Sequence, residues 1–286
     1  MSIVRVVSYN IHKGRSAVGA RESLSDLRLG LHNLRPDLLL LQEVQGRNER
    51  DYALHAQHES LAAALDMEAC YGCNAIRTQT DHGNALLSRF SILDFENEDI
   101  SDHMLEQRGL LHATIDINGT PVHCIVVHLG LFAGGRSRQV NALVTRIKRL
   151  VPDDAPLIIG GDFNDWTNRL APLFVEQLGL YEVFALSPKG LDDSHLELRE
   201  SVRRFGQSLL GKTSQAAVSS RIQQLGVGGL ARATPPPRTF PSAFPWLRLD
   251  RIYQRGFAVR SAKVLQGQPW RQLSDHAPIL TELELP

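Results

Sequence analysis

Short apolar runs alternating with stretches of helical periodicity constrain this chain more than any other feature. Ile3 to Tyr9 reads as a strand, Leu24, Leu27, Leu31 and Leu34 fall at helical spacing, and Asp37 to Val44 reads as a second buried strand. The opening is therefore β, α, β. His55 to Leu65 predicts a helix, shorter strands are expected around Asn84 to Ser88 and Ile92 to Phe95, and two arms, Leu110 to Ile117 and Val122 to Leu129, meet at Asn118-Gly119 as a hairpin. Beyond it Val140, Leu143, Val144, Ile147 and Leu150 mark one helical face, Pro156 to Gly161 a buried strand and Ala171 to Leu178 a shorter helix. The C-terminal end returns to strands. Helical patterns in both halves, each among several strands, predict two mixed sheets packed face to face with helices outside.

One segment breaks this rhythm. Residues 187–238 read as an insertion in a single domain spanning 1–286, with Leu198, Val202, Phe205 and Leu209 as a helical stripe, a weaker one at Val218, Ile222 and Leu225, and then a run of glycines and prolines. Between Arg199 and Arg238 seven basic residues face one acidic residue, Glu200, an excess concealed by the formal net charge of zero. Residues 199–238 are thus either a solvated helical face or a surface for peripheral contact with nucleic acid or an anionic membrane.

No stretch approaches the roughly 20 apolar residues that a membrane-spanning helix needs, and the chain opens on a strand pattern, so a cytoplasmic location is expected. Cys70, Cys73 and Cys124 are too sparse for a disulfide scaffold. The C-x-x-C at Cys70 and Cys73 lacks a second ligand pair for zinc and runs on into strand-like sequence rather than a redox helix, so two packed thiols are expected there.

Nearly every buried-looking strand ends in a polar side chain that a core would not ask for. Asn10 follows V-R-V-V-S-Y, Glu43 follows L-L-L-L-Q, Asn84 sits in H-G-N-A-L-L-S-R, His128 follows C-I-V-V, Asp162 and Asn164 follow L-I-I-G-G, and Asp275-His276 precede the last strand. Singly, each could be a turn or capping residue or a satisfied histidine. Asp250 is harder to dismiss, because Asp is a poor strand residue and a buried carboxylate needs a histidine or a metal as partner. Together they suit phosphoester cleavage: Glu43, Asp162 and Asp275 can offer oxygen to magnesium, and a carboxylate-held His276 can take a proton or stabilise phosphate charge.

In order, Y-N-I, Q-E, G-N-A-L-L-S-R, H-L, G-D-F-N, L-D-R-I and S-D-H resemble the endonuclease/exonuclease/phosphatase superfamily, which holds deoxyribonuclease, abasic-site endonucleases, neutral sphingomyelinases and inositol polyphosphate phosphatases. The resemblance covers Val4 to Leu285 and leaves residues 187–238 largely outside. It implies a four-layer α/β/β/α sandwich and a magnesium-dependent phosphodiesterase, with manganese a possible substitute, acting on nucleic acid or on a phospholipid or inositol headgroup. Carried over by motif, Glu43 corresponds to the principal metal ligand, with Asn10 and Asp275 beside it. Asp162 and Asn164 correspond to the pair positioning water and phosphate, His276 to the histidine at the scissile phosphate with Asp250 orienting it, and His128 to a histidine near the leaving group. Asn84 and Arg108 are expected to bind substrate, although Arg108 in Q-R-G also reads as an exposed turn arginine. Asp81 is the nearest candidate for a further acidic residue, and His82 and His12 are candidates to face the cleft. The competing reading is a silent phosphate- or nucleic-acid-binding scaffold.

Overall fold

The computed structural model describes residues 2–19, 21–102, 106–187 and 236–286. The alternation in the sequence becomes two six-stranded mixed sheets. In chain order the strands are β1 (Ser2–Asn10), β2 (Leu38–Val44), β3 (Glu68–Ile76), β4 (Asp81–Ser88), β5 (Ile92–Asp99), β6 (Gly109–Ile117), β7 (Thr120–His128), β8 (Leu157–Asp162), β9 (Tyr181–Glu182), β10 (Asp250–Arg255), β11 (Ala258–Val264) and β12 (Ile279–Leu285). One sheet has the order β11-β12-β1-β2-β4-β3, the other β5-β6-β7-β8-β10-β9.

Helices α1 (Leu24–Leu34) and α2 (Gln57–Leu65) cover the first sheet, burying Leu24, Leu27, Leu31 and Leu61 against Val7, Tyr9, Leu39 and Leu41. Helix α3 (Ala133–Leu150) and α4 (Ala171–Leu178) cover the second through Val140, Leu143, Ile147 and Phe174. A third core, including Val4, Val6, Leu38, Leu40, Val126 and Ile158, lies between the sheets. Successive side chains of a strand point to opposite faces, so the four leucines from Leu38 to Leu41 feed both the inter-sheet core and the helix-facing core. The chain is an α/β/β/α sandwich, as expected. Among the described residues two further short α-helices are α5 (Val183–Leu186) and α6 (Trp270–Leu273).

Differences from the sequence reading have local causes. Strand β5 runs on to Asp99 because it is a sheet edge, where Asp94, Glu96 and Glu98 are tolerated and discourage pairing with another chain. The hairpin turn lies where expected, with Asn118 at φ 53° and Gly119 at φ 86°. The helical stripes expected within residues 187–238 lie outside the described residues. Among the described residues no helix is long and apolar enough to cross a membrane.

The expectation of two packed thiols at C-x-x-C is corrected. Cys70 is buried in the inter-sheet core with Cys124, whereas Cys73, three residues along the same strand and so on its other face, is exposed. Burial pushes the Cys70 thiol up to about 12. Iodoacetamide is expected to label Cys73 alone in the native protein and all three cysteines in denaturant; native labelling of Cys70 or Cys124 would contradict this packing.

Candidate active site

Topology brings the strand-end residues together. Strands β7 and β8 are parallel with His128 opposite Asp162, and antiparallel β10 places its first residue, Asp250, opposite Asp162 from the other side. In the facing sheet β1 and β2 are parallel, and β12 enters antiparallel beside β1, so Asn10, Glu43 and the Ser274-Asp275-His276 segment share one end. Ser274 Oγ fixes that segment by donating to Asn10 O at 2.7 Å.

The Gly-Gly before Asp162 is a packing requirement. A Cβ on Gly160 would sit 2.4 Å from Leu40 Cδ1 of the facing sheet, and one on Gly161 (φ 154°) would sit 1.9 Å from the Val127 carbonyl oxygen. Gly161→Ala must therefore displace a neighbouring strand. It is expected to lower stability by about 1–3 kcal/mol in urea unfolding and to weaken activity by moving Asp162. An unchanged midpoint would show that this close approach is not needed.

Asp162 is the hub. His276 Nε2 and His128 Nε2 each lie 3.6 Å from its Oδ2, Asn10 Nδ2 lies 3.5 Å from the same oxygen, and the Asn164 amide donates to Oδ1 at 2.9 Å. Asn164 is held in turn by Nδ2 donating to Leu129 O at 2.8 Å. His276 Nδ1 is 2.9 Å from Asp250 Oδ2, the arrangement of a carboxylate-oriented imidazole with Nε2 aimed at Asp162. Phe240 packs against the His276 ring with centroids 4.9 Å apart.

Electrostatics set this half of the site apart. Burial works against charge on His276, but the carboxylates of Asp250, Asp162 and Asp275 overcome it and hold the imidazole up at about 10. Asp162 is raised by burial, against the pull of His276 and His128. The cluster thus holds a proton at neutral pH. Burial lowers His128 to about 4, aided by Arg108, and lowers His82 to about 4, aided by Lys13, so both are neutral imidazoles.

Glu43 sits where β2 bulges: the register with β4 shifts between Leu41 and Val44, and Glu43 takes φ 55°, a left-handed conformation unfavourable for a residue with a Cβ. His12, Lys13 and Gly14 are also left-handed, at φ 47°, 58° and 66°. This turn brings the Lys13 ammonium onto Glu43 Oε2, and His12 Nδ1 to 3.8 Å from Asp275 Oδ1. Burial would raise the Glu43 carboxyl, yet His128, Lys13 and His82 together bring it below the usual carboxylate range. With both histidines neutral near pH 7, Lys13 supplies the lasting positive charge.

Other expectations separate here. Arg108 is no exposed turn arginine: its side chain is 16% exposed, and its charge acts on both His128 and His82. Asn84 is fully buried rather than open to substrate, donating to Gly109 O at 2.9 Å and tying the two sheets together. Asp81 spends Oδ1 on the amides of Gly46 and Arg47 and on the Tyr71 hydroxyl, which makes it a loop anchor. Lys13 was missed, although His-Lys-Gly directly after Y-N-I was its signal. Arg251, among the largest fully buried side chains, was missed as well; it donates to the Asp250 and Asp165 carbonyls behind the site.

The model of the endonuclease/exonuclease/phosphatase family matches residues 7–276. The chain belongs to that family. Protein YbhP of Escherichia coli strain K12, described as uncharacterized, is 33% identical over 290 residues, covering 98% of this chain and 96% of its own. Solved structures share the fold at low identity. The endonuclease/exonuclease/phosphatase of Beutenbergia cavernae has a TM-score of 0.70 at 16% identity, covering 100% of this chain and 72% of that one. The human Nocturnin catalytic domain with bound sulfate has 0.67 at 18%, covering 99% and 95%. D. rerio TDP2 with a single-strand DNA product has 0.62 at 18%, covering 99% and 100%.

Enzymes of this family typically use a divalent metal, and two places in the cleft could hold one. Ligand atoms of Asp162, Asp250 and His276 lie within 4.8 Å of one another. A metal there would compete with the 2.9 Å His276–Asp250 bond and would bind imidazole, which suits hard cations poorly. The Glu43 side is the better fit. Its carboxylate already carries a cation, the Lys13 ammonium, Asn10 stands 3.5 Å away, and Ser274 ties Asp275 to Asn10.

Proposed function

We propose that the protein is a magnesium-dependent phosphodiesterase that hydrolyses its ester by in-line attack of water, on nucleic acid or on a phospholipid or inositol headgroup. The observation that carries this reading is the separation of two chemistries across one cleft: a proton-holding Asp162–His276–Asp250 group on one side and an oxygen-rich cation seat at Glu43 on the other. Magnesium held by Glu43, Asn10 and Asp275, with manganese able to replace it, would supply charge neutralisation at the phosphoryl and leaving oxygens.

The chain's own groups do the rest. Asp162 and His276 orient the water; the Asp162 carboxylate takes its proton as its oxygen bonds to phosphorus, while the proton already held on His276 neutralises charge on the phosphate; the ester P–O bond breaks, and the departing alkoxide takes a proton from solvent water. Asp250 keeps Nε2 of His276 pointed into the cleft, the Asn164 side chain and the His128 ring line the phosphate's other face, and Arg108 adds a positive charge nearby. Bis-p-nitrophenyl phosphate should turn over with magnesium or manganese and stop turning over with a chelator. No turnover on it, or on DNA, RNA and phospholipid, would favour the silent scaffold instead.

A further inference from the structure

The loops that leave the catalytic edge carry apolar side chains where a soluble enzyme would place polar ones. Val18, in the loop after β1, is 89% exposed; Leu131 and Phe132, after β7, are 54% and 68%; Trp166, after β8, is 47%; Phe244 and Trp246, before β10, are 76% and 59%. The loops after β7 and β8 and the one before β10 are pinned. Arg136 donates to the carbonyls of Gly130 and Leu131 and stacks 5.7 Å from the Trp166 ring centre, joining the β7 and β8 loops. The loop bearing Phe244 and Trp246 closes on itself through the Phe240–Leu247 bridge. It is also fastened to the S-D-H segment by Ser242 N donating to Asp275 O at 2.7 Å and Ser242 Oγ donating to Ser274 O at 2.6 Å. The apolar tips are thus held out on both sides of the cleft by a bonded framework.

Clusters of exposed apolar groups mark interaction surfaces, and two observations select the partner. Val18 and Leu131 are aliphatic and cannot stack on bases, whereas aliphatic tips with Phe and Trp beside them all gain from entering a lipid interface. Tracking a nucleic-acid backbone needs several available cations, yet Arg15 is paired with Asp51, Arg21 with Asp26, Arg138 with Asp102, and Arg136 is spent on carbonyls and Trp166, while the exposed Arg169 adds a single cation beside Trp166. We infer that the catalytic edge is an interfacial docking surface that seats on a phospholipid bilayer, so that the scissile ester is the phosphodiester of a lipid headgroup. The headgroup identification rests on the phosphodiesterase reading; the docking does not.

Tryptophan emission tests it directly, because Trp166 and Trp246 are exposed while Trp270 is buried in the helix-facing core. Vesicles of phosphatidylethanolamine and phosphatidylglycerol with brominated acyl chains are expected to quench the emission of the full-length protein. Phe132→Ser with Phe244→Ser should weaken vesicle affinity by about ten-fold or more and leave turnover of bis-p-nitrophenyl phosphate unchanged. Absence of quenching, or quenching by single-stranded oligonucleotide in place of vesicles, overturns the inference. Quenching without turnover of any ester would instead leave docking intact and remove the hydrolase reading.

Discussion

Replacing His276 by Asn is expected to reduce turnover by about 10²- to 10⁴-fold, the range in which positioned acid–base groups act, with the fold retained. Each tenfold is about 1.4 kcal/mol of barrier, so the loss corresponds to roughly 3–6 kcal/mol. Asn is the informative choice. Its amide can occupy the place of Nδ1 and keep a hydrogen bond to Asp250, while nothing replaces Nε2, the nitrogen 3.6 Å from Asp162. Ala would also leave the buried Asp250 carboxylate unpaired, a defect that by itself costs about 3–5 kcal/mol of stability. Among the described residues Oδ1 of Asp250 already has no hydrogen-bond partner. Lost activity in the Ala variant could therefore come from unfolding. If the Asn variant turns over bis-p-nitrophenyl phosphate at more than a tenth of the wild-type rate while giving a normal melting curve, the proton-bearing His276 does not act at the reacting phosphate.

The part of the site built on strand ends was legible because strand sequences carry their own contradiction: Asp250 inside L-R-L-D-R-I-Y and Asp162 after L-I-I-G-G are carboxylates where burial forbids an unpartnered charge. Topology then does the convergence, since parallel β7 and β8 and antiparallel β10 force His128, Asp162 and Asp250 into one row. What could not be read was set by backbone conformation. Nothing in Q-E announces a bulge that turns Glu43 to φ 55°, and nothing in H-K-G announces three left-handed residues that carry Lys13 to it. Burial of a cation is equally hidden: Arg108 beside Gly109 has the sequence of a surface turn, and Arg251, although it follows Asp250 directly, is held by the Asp250 and Asp165 carbonyls, which no sequence pattern announces. The charged edge strand beyond Phe95 escaped for the opposite reason, because an edge relaxes the demand for apolar residues on which periodicity depends.

The second large effect is expected at Glu43. Glu43→Gln keeps the side chain's size and removes the charge from the cation seat, so manganese affinity measured by calorimetry should fall by about 100-fold or more and added magnesium should not restore turnover. Lys13 makes the test discriminating. Its ammonium sits on Glu43 Oε2, and a divalent ion taking the carboxylate must displace it. Lys13→Met is therefore expected to leave metal affinity unchanged or raise it, opposite in sign to Glu43→Gln, because it removes a competitor rather than a ligand. The Lys13–Glu43 pair itself adds little stability, since the Lys13 side chain is 34% exposed and its attraction is screened by water. If Lys13→Met loses metal as Glu43→Gln does, the two side chains act as one structural unit and the cation seat lies elsewhere. The candidate would then be the Asp162–Asp250–His276 cluster, where a bound ion must give up the 2.9 Å histidine–carboxylate bond. That alternative has its own signature: Asp250→Asn would then cost metal affinity, whereas with the seat at Glu43 it costs only turnover.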